Sequence, residues 1–262
     1  DPFYRFHFTD GSQFDYRASI EDTLDEIRRF SPDDADGYLA LLEQSKKVYD
    51  IGFKKLVHRP FNSLWLMIKQ IPALLTLKCY KTVSQLVSRH LKHPLIQQAF
   101  SIHPLLVGGN PFKTTAIYSL IHYLERRWGV FFCMGGTGKI VSELKNLMIE
   151  SGIEIKTKTE VKEFIVENDK ISKIITNKET MTDFDLVVCN ADPPMVYSKL
   201  LKNYNLKRPF KKEKNLLYSM GLFVLFFGTK KKYEDVAHHT IWMTERFKSL
   251  LNDIFKNKVL SE

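Results

Sequence analysis

Apolar and polar residues alternate over residues 4–16, on both sides of an Asp10-Gly11 pair. Alternation with a period of two is typical of a half-buried strand, and Asp-Gly favours a tight turn, so this segment predicts a β-hairpin. From residue 19 to about residue 57 the apolar positions recur at helical spacing instead. The chain is therefore expected to begin with a hairpin that is followed by helices.

The helical pattern continues over residues 61–127, where it is interrupted by Pro72, Pro94 and Pro104. Proline lacks the amide hydrogen that a helix interior needs, so each of these positions predicts a break between helices. This region is expected to form a helical layer beside the hairpin.

The pattern changes again after the glycines at 135–138, where a helix at 139–151 precedes a series of alternating or apolar runs. These runs predict strands at 153–158, 161–166, 170–176, 184–189 and 216–228, and a last helix at about 245–257. A glycine turn, a helix and then strands are what an α/β nucleotide-binding domain supplies after its first βαβ unit. The predicted fold class is α/β with a mixed α+β character.

Charge is distributed unevenly along the 262 residues. The chain has 39 basic and 30 acidic residues, a net charge of +9, and no acidic residue lies between Asp50 and Glu125. That interval holds Lys54, Lys55, Arg59, Lys69, Lys78, Lys81, Arg89, Lys92 and Lys113. Because the remaining residues balance, this interval carries the whole excess and indicates an anionic partner.

Large apolar residues are interleaved with the basic residues over 61–77. This mixture favours an anionic membrane surface over nucleic acid. The contact residues would be Trp65, Lys69, Lys78 and Lys81. The alternative is a solvated basic face over an ordinary core helix. No apolar run reaches the roughly 20 residues that cross a bilayer, so the protein is expected to lie on a membrane.

Cysteine and histidine offer little chemistry of their own. The three cysteines are too scattered for a disulfide framework or a zinc site, which suits a reducing compartment. His238 and His239 lack further ligands at zinc spacing, so no metal site is predicted. The chain starts at Asp1 without a signal-peptide pattern, and we interpret it as an internal fragment of a longer protein.

Two turns carry residues suited to ligand binding. The first consists of Gly135, Gly136, Thr137 and Gly138. It leaves backbone N–H groups at a helix N-terminus, where they can hold an anion or the edge of a flavin. The second consists of Asn190, Ala191 and Asp192, and it follows an apolar strand, on the side of an α/β sheet where ligands bind. The alternative for both is a turn without a ligand.

An apolar loop at 103–112 holds two glycines and precedes a helix that contains His122. Tyr118 and Arg126 share the helix face of His122 because each lies four residues away from it. Two interpretations stay open for these side chains, a pocket lining and a structural role in the core.

Six segments, taken in order, resemble the bacterial phytoene desaturases of carotenoid biosynthesis. They are LVGGNPF (106–112), IYSLIHYLERRWGVFF (117–132), GGTGKIVSEL (135–144), VVCNADP (187–193), SMGLFVLFFGT (219–229) and VAHHTI (236–241). The resemblance extends over essentially the whole chain. It implies a two-domain FAD-dependent oxidoreductase related to the amine oxidases. In that fold, a substrate domain with a helical, membrane-associating layer interrupts a Rossmann-like FAD domain.

The resemblance also implies a division of the chain. Residues 1–130 and 196–262 would form the substrate domain, and residues 131–195 would form part of the FAD domain without its amino-terminal GxGxxG strand. The FAD cofactor would meet Gly135, Gly136, Thr137, Gly138, Val161, Asn190, Ala191 and Asp192. A substrate tunnel would include Leu105, Leu106, Val107 and Phe112.

The function that the resemblance implies is FAD-dependent desaturation of phytoene towards lycopene, by a cytoplasmic protein at the periphery of a membrane. The flavin would supply the redox chemistry, and no residue is assigned as the proton acceptor. A desaturase, ketolase or isomerase of another carotenoid is one alternative, and a non-catalytic membrane-binding module is another. The expected partners are a carotenoid hydrocarbon and a membrane surface, without nucleic acid.

Overall fold

A computed structural model describes residues 1–59, 64–204, 216 and 218–260 of the chain. The helices are α1 (Ile20–Phe30), α2 (Asp34–Tyr49), α3 (Leu64–Thr76), α4 (Val83–His90), α5 (Pro94–Ser101), α6 (Leu120–Trp128), α7 (Thr137–Glu150), α8 (Pro193–Met195) and α9 (Phe247–Asn252). Short 3-10 or π-helical turns cover Asp50–Lys55, His103–Val107, Ala116–Ser119, Val196–Leu200 and Asp253–Asn257. The strands are β1 (Tyr4–His7), β2 (Gln13–Tyr16), β3 (Val161–Glu167), β4 (Lys170–Thr176), β5 (Thr180–Met181) and β6 (Thr240–Trp242). The secondary structure is mixed α+β.

The chain forms two compact units. Unit 1 consists of Asp1–Phe131 and Ser219–Glu262, and unit 2 consists of Phe132–Tyr218. The sheet of unit 1 has the strand order β2-β1-β6. Strand β1 runs antiparallel to β2 and parallel to β6. The predicted hairpin is confirmed, and its turn contains Gly11 with a φ of +82°.

The core of unit 1 lies between its sheet and the helices α1, α2, α4 and α5. Its most deeply buried members are Phe6, Phe14, Tyr16, Ile27, Tyr38, Leu41, Leu86, Leu91, Ile96 and Phe100. Local polar groups fix where the helices start, because Ser19 caps α1 and Thr82 forms a capping box with Gln85 on α4. Alternating residues of the hairpin and the buried stripes of four helices therefore close a single core.

Helices α2 and α4 approach each other at a glycine. A Cβ atom on Gly37 would lie 2.0 Å from the carbonyl oxygen of His90, so the contact leaves no room for a side chain. Beside it, the buried carboxylate of Asp34 accepts hydrogen bonds from the N–H groups of Lys92 and His93 at 2.7 and 2.8 Å. These contacts tie the start of α2 to the connection between α4 and α5.

Unit 2 has a sheet of three antiparallel strands in the order β3-β4-β5. Phe164 faces Ile174 across β3 and β4, and it packs with Val196 and Leu200 in a small core. Helix α7 has no buried side chain. The predicted strands at 161–166 and 170–176 are confirmed by β3 and β4.

The strand predictions at 153–158, 184–189 and 216–228 are wrong for the described residues of these segments. A strand is defined by its hydrogen-bonded neighbour, and these runs have no ladder within the described part of the chain. Their apolar side chains stay accessible, since Val188 is 83% exposed and Phe223 is 90% exposed. These segments therefore have the alternating sequence of a strand but lack the backbone hydrogen bonds to a neighbouring strand.

The expected break at Pro72 is also wrong, because α3 continues through this residue. Proline removes one backbone hydrogen bond, and on this exposed helix water can satisfy the carbonyl of Ile68 that loses its donor. Pro94 does start a new helix, and Pro104 lies in the 3-10 turn that follows α5.

Candidate functional site

The glycine turn before α7 has an open backbone. Gly135 and Gly136 have φ values of +90° and +88°, a region that glycine enters without strain. A Cβ atom on Gly136 would have no neighbour within 4 Å, so the turn is accessible from outside. Gly136 is the N-cap of α7, and no side chain of the described residues caps this helix. Thr137 and Gly138 follow in its first turn, which therefore presents backbone N–H groups outward.

A cavity of about 720 Å³ lies within unit 2. Its walls come from β3, β4, the segment before α8 and the turn after it. They are Glu160, Val161, Lys162, Phe164, Ile174, Val187, Val188, Cys189, Asn190, Ala191, Met195, Lys199 and Leu200. The structure thus brings together three predicted cofactor residues, Val161, Asn190 and Ala191, although about thirty residues separate them in the sequence. Asp192 and residues 135–138 lie outside this lining.

The predicted tunnel residues are divided between core and surface. Leu105 and Phe112 pack against the core of unit 1, whereas Leu106 and Val107 are 59% and 57% exposed. Gly108 ends the 3-10 turn in the left-handed region with a φ of +72°. Two apolar side chains are therefore available on the outer side of this loop.

Behind the loop lies a buried polar cluster that the sequence pattern did not reveal. Glu125 is 5% exposed, and its Oε1 accepts a hydrogen bond from the hydroxyl of Tyr4 at 2.8 Å. Its Oε2 lies 3.1 Å from Nε2 of His103. The ring centroid of His103 lies 4.2 Å from that of His122. Tyr4 and Glu125 are 121 residues apart, so spacing along the chain offers no signal for this contact.

Burial controls the protonation of this cluster. The pKa of the Tyr4 hydroxyl is raised by burial and by the neighbouring Glu125 carboxylate. The pKa of His122 is held well below its ordinary value, first by burial and then by the positive potentials of His103 and Arg126. His122 is therefore a neutral imidazole near pH 7.

Arg126 joins α6 to the other elements of unit 1. Its Nε donates to the hydroxyl of Tyr38 at 2.8 Å, and its other nitrogens donate to the carbonyls of Arg17 and Ala18 and to the hydroxyl of Thr23. Its guanidinium also lies 4.2 Å from the ring centroid of Tyr16. The shared helix face of His122 and Arg126 thus has a structural role in this unit.

The basic and apolar interval places its side chains on the surface of α3. Trp65 is 65% exposed and Ile68 is 52% exposed, and the ammonium group of Lys69 lies 5.5 Å from the centroid of a Trp65 ring. Lys78 and Lys81 follow just after the helix. Every helix among the described residues is too short or too polar to cross a bilayer.

The two adjacent histidines before β6 have rings in contact. Nδ1 of His238 lies 3.2 Å from Nδ1 of His239. Within residues 1–59, 64–204, 216 and 218–260, no three metal-ligating side chains converge on one point.

Comparison with known proteins identifies relatives over the whole chain. A lycopene-forming phytoene desaturase of Pseudescherichia vulneris is 38% identical over 100% of this chain and 53% of its own length. A neurosporene-forming phytoene desaturase of Cereibacter sphaeroides is 36% identical over 97% of the chain and 50% of its own length. A 4,4'-diapolycopen-4-al dehydrogenase of Metabacillus indicus is 28% identical over 98% and 52%. No protein-family model matches the chain.

These relatives define a class of oxidoreductases that act on carotenoids. Within that class, the chain is homologous to the bacterial phytoene desaturases, since proteins with this name are 33–38% identical to it over 97–100% of its length. The family resemblance of the sequence is confirmed. The chain spans about half the length of the curated relatives it matches.

Proposed function

We propose that the protein to which this chain belongs desaturates phytoene towards lycopene with FAD as the oxidant. The observation that carries the proposal is the similarity to phytoene desaturases along the whole chain, at up to 38% identity. Relatives of similar identity are named for lycopene and for neurosporene, so product analysis must decide how far desaturation proceeds.

The residues of unit 2 fit a flavin nucleotide. The turn at Gly135 and Gly136 offers helix N-terminal N–H groups without a Cβ atom in front of them. The cavity bounded by Val161, Asn190 and Ala191 has mainly apolar walls with one amide, two lysines and the carboxylate of Glu160 among them, which suits a flat aromatic ring that carries polar edges. FAD bound here would supply the two-electron oxidation, while these residues hold and orient it.

The surface of α3 fits an anionic membrane. A hydrocarbon substrate dissolves in the bilayer, so an enzyme that takes it up gains from lying on the bilayer surface. Trp65 and Ile68 would enter the headgroup boundary, and Lys69, Lys78 and Lys81 would meet lipid phosphates. The chemistry would then take place at the periphery of the membrane on the cytoplasmic side.

The proposed reaction is tested by expressing the complete protein in cells that accumulate phytoene and separating the carotenoids by chromatography. Conversion to lycopene is expected. Accumulation of neurosporene or ζ-carotene would show that the protein desaturates phytoene but carries out fewer desaturation steps. Unchanged phytoene, combined with turnover of another supplied carotenoid, would mean that this other carotenoid is the substrate.

The cofactor role is tested with Gly136→Val in the complete protein, which crowds the turn. Flavin content is expected to fall at least tenfold. Gly152→Val is the matched control, because Gly152 also has a positive φ and open space at its Cβ position, at the other end of α7. Full flavin occupancy in Gly136→Val would show that the turn has a structural role only, and failure of both variants would mean that backbone strain is responsible.

The membrane role is tested by changing Lys69, Lys78 and Lys81 to Glu and measuring flotation with anionic liposomes. Each lysine contributes about 1 kcal/mol near such a surface, so binding should fall about a hundredfold at low salt and less at high salt. The control changes Lys145, Lys170 and Lys173 of unit 2 to Glu, which alters the net charge equally. An equal loss of liposome binding in both variants would mean that net charge, and not the surface of α3, determines the binding.

A further inference from the structure

Four aromatic side chains of unit 1 pack together where the end of α2 and the π-helical turn after it meet α6. The ring centroid of Tyr49 lies 5.4 Å from that of Phe53 and 5.1 Å from that of Tyr123. A Trp128 ring lies 6.0 Å from Tyr49 and 5.6 Å from Phe53. Tyr49 is buried, whereas Trp128, the last residue of α6, is 48% exposed. These four residues, the Trp128 cluster, therefore have a buried base and an exposed indole.

Basic side chains surround the Trp128 cluster. The ammonium group of Lys54 lies 5.7 Å from the ring centroid of Tyr49, and the guanidinium of Arg127 lies 5.9 Å from it. Lys54 is paired with Asp50 at 2.7 Å. Lys55 and Arg127 are exposed and form no ion pair with any residue that the structure describes. Two cations beside the exposed indole are therefore open to an anionic partner.

The Trp128 cluster adjoins the surface of α3 that the proposed function assigns to the membrane. Leu74 of α3, Ile51 of the π-helical turn and Leu120 of α6 pack against the same small core. The turn carries Phe53, and α6 carries Trp128. The three elements that bear exposed aromatic and basic side chains are therefore packed together within unit 1.

An exposed indole between cations suits the boundary between lipid headgroups and acyl chains. Tryptophan and tyrosine are enriched at this boundary because one end of each ring is apolar and the other is polar. Lysine and arginine keep their charge at the phosphates while their stems cover apolar surface. Carboxylates do not oppose such a contact, since the chain has no acidic residue between Asp50 and Glu125, and Glu125 is buried.

We propose that the Trp128 cluster is a second membrane anchor, which inserts the indole of Trp128 at the headgroup boundary of an anionic bilayer while Lys55 and Arg127 contact lipid phosphates. The proposal rests on the proposed function, because it extends the membrane contact of α3. Two contacts on packed elements fix the orientation of unit 1 on the bilayer, whereas a single contact would let it rotate. The indole adds apolar burial, which salt does not screen.

Tryptophan fluorescence tests the insertion directly, because the chain has only three tryptophans. In the complete protein, two of them are changed to Phe, so that Trp128, Trp65 or Trp242 remains as the single indole of residues 1–262. Each variant is mixed with vesicles of phosphatidylcholine and phosphatidylglycerol whose acyl chains carry bromine near the headgroup. The emission of Trp128 and of Trp65 should shift to the blue and be quenched. Trp242 on β6 is the matched control, since it is 75% exposed, and its emission should not change.

Vesicle binding tests what the indole contributes. Trp128→Ala in the complete protein should weaken binding roughly tenfold, by a similar factor at low and at high salt, because burial of apolar area drives it. Trp242→Ala should leave binding unchanged. The quenching experiment decides on its own if Trp128→Ala fails to fold, because its key variant keeps the Trp128 cluster intact.

The outcomes separate this inference from the proposed function. Quenching of Trp65 without quenching of Trp128 would overturn the second anchor and leave the membrane role of α3 intact. Quenching of Trp128 alone would support the second anchor and contradict the role of α3, and quenching of neither would contradict both.

Other occupants of the Trp128 cluster would each overturn the inference in a recognisable way. A change in Trp128 emission that follows protein concentration without vesicles would assign the cluster to a contact between two copies of the protein. Quenching by a single-stranded oligonucleotide, without quenching by brominated lipid, would assign it to nucleic acid. Equal quenching of Trp128 and Trp242 by the vesicles would mean that the protein adsorbs without a preferred face.

Discussion

Units 1 and 2 differ in how much of their apolar surface they bury. Unit 1 closes a core between its sheet and four helices, with Phe14, Ile27 and Leu41 fully buried. Unit 2 buries Phe164, Val196 and Leu200, while α7 keeps its apolar side chains exposed. An amphipathic helix needs a surface to pack against, and in unit 2 the described residues do not provide one for α7. Similar sequence patterns can therefore bury very different amounts of apolar surface in two units of one chain.

The difference in burial between the two units is tested most strongly by removing a large side chain from each unit. Phe100 is buried against the rings of Phe14, Tyr16 and Tyr38, so Phe100→Ala should lower the free energy of unfolding of unit 1 by about 3–5 kcal/mol. The matching change Leu144→Ala on α7 should lower the free energy of unfolding of unit 2, followed by far-ultraviolet circular dichroism, by less than about 0.5 kcal/mol. Urea denaturation followed by tryptophan fluorescence measures the effect on unit 1.

All three tryptophans lie in unit 1, which makes fluorescence specific for it. Far-ultraviolet circular dichroism reports on both units, and it should show no change of unit 2 in Phe100→Ala. Similar losses of unfolding free energy for Phe100→Ala and Leu144→Ala would mean that the two units bury these side chains to a similar degree.

Arg126→Lys should lower the free energy of unfolding of unit 1 by about 2–3 kcal/mol, because lysine cannot keep several directed hydrogen bonds and a stacked plane together. Arg127→Lys is the control on the exposed side of the same helix and should cost less than about 0.5 kcal/mol. Thermal unfolding of both variants measures the difference. Equal stability of the two would refute a structural role for Arg126.

Gly37→Ala should cost about 1–3 kcal/mol, because the new methyl group would overlap the His90 carbonyl and force α2 and α4 apart. At Gly52 a Cβ atom would meet only Leu120 at an ordinary 3.5 Å. Gly52→Ala is therefore expected to be neutral or slightly stabilising. Urea midpoints of the two variants provide the measurement, and a neutral Gly37→Ala would show that the helices can separate freely.

The smallest effect concerns pH. The folded protein holds the pKa of His122 far below its ordinary value, so below about pH 6.5 the unfolded chain binds a proton that the folded chain does not. Stability should therefore fall as the pH falls, by up to about 1.4 kcal/mol per pH unit from this group. His122→Phe should flatten the dependence relative to the wild-type protein. An unaltered slope in His122→Phe would assign the pH dependence to other groups.

Much of unit 1 could be predicted from the sequence because its signals are local. The Asp10-Gly11 turn, the helical spacing and the capping residue Ser19 each act within a few residues. In unit 2 the segments 153–158 and 184–189 show the right alternation, but a strand also needs a neighbour, which no local pattern specifies. Exposed residues of this kind carry a strand signal without strand structure.

The candidate sites also differ in how far they could be predicted from the sequence. Val161, Asn190 and Ala191 were predicted from the family resemblance, and the fold brings them to one cavity. The pair of His103 and Glu125 could not be predicted, because its contact joins residues 22 positions apart on different elements, and Tyr4 comes from a third. Only packing of the hairpin on α6 shows that these polar groups meet.

The parallel pairing of β1 with β6 has a consequence for synthesis on the ribosome. Arg5 is opposite Thr240, so the sheet of unit 1 stays open until residue 240 has emerged from the ribosome. Unit 2 is encoded between these strands, and all of its residues leave the exit tunnel earlier. The order of translation therefore favours unit 2 folding first, while the hairpin waits with an unpaired edge that nascent-chain factors must keep from pairing with other molecules.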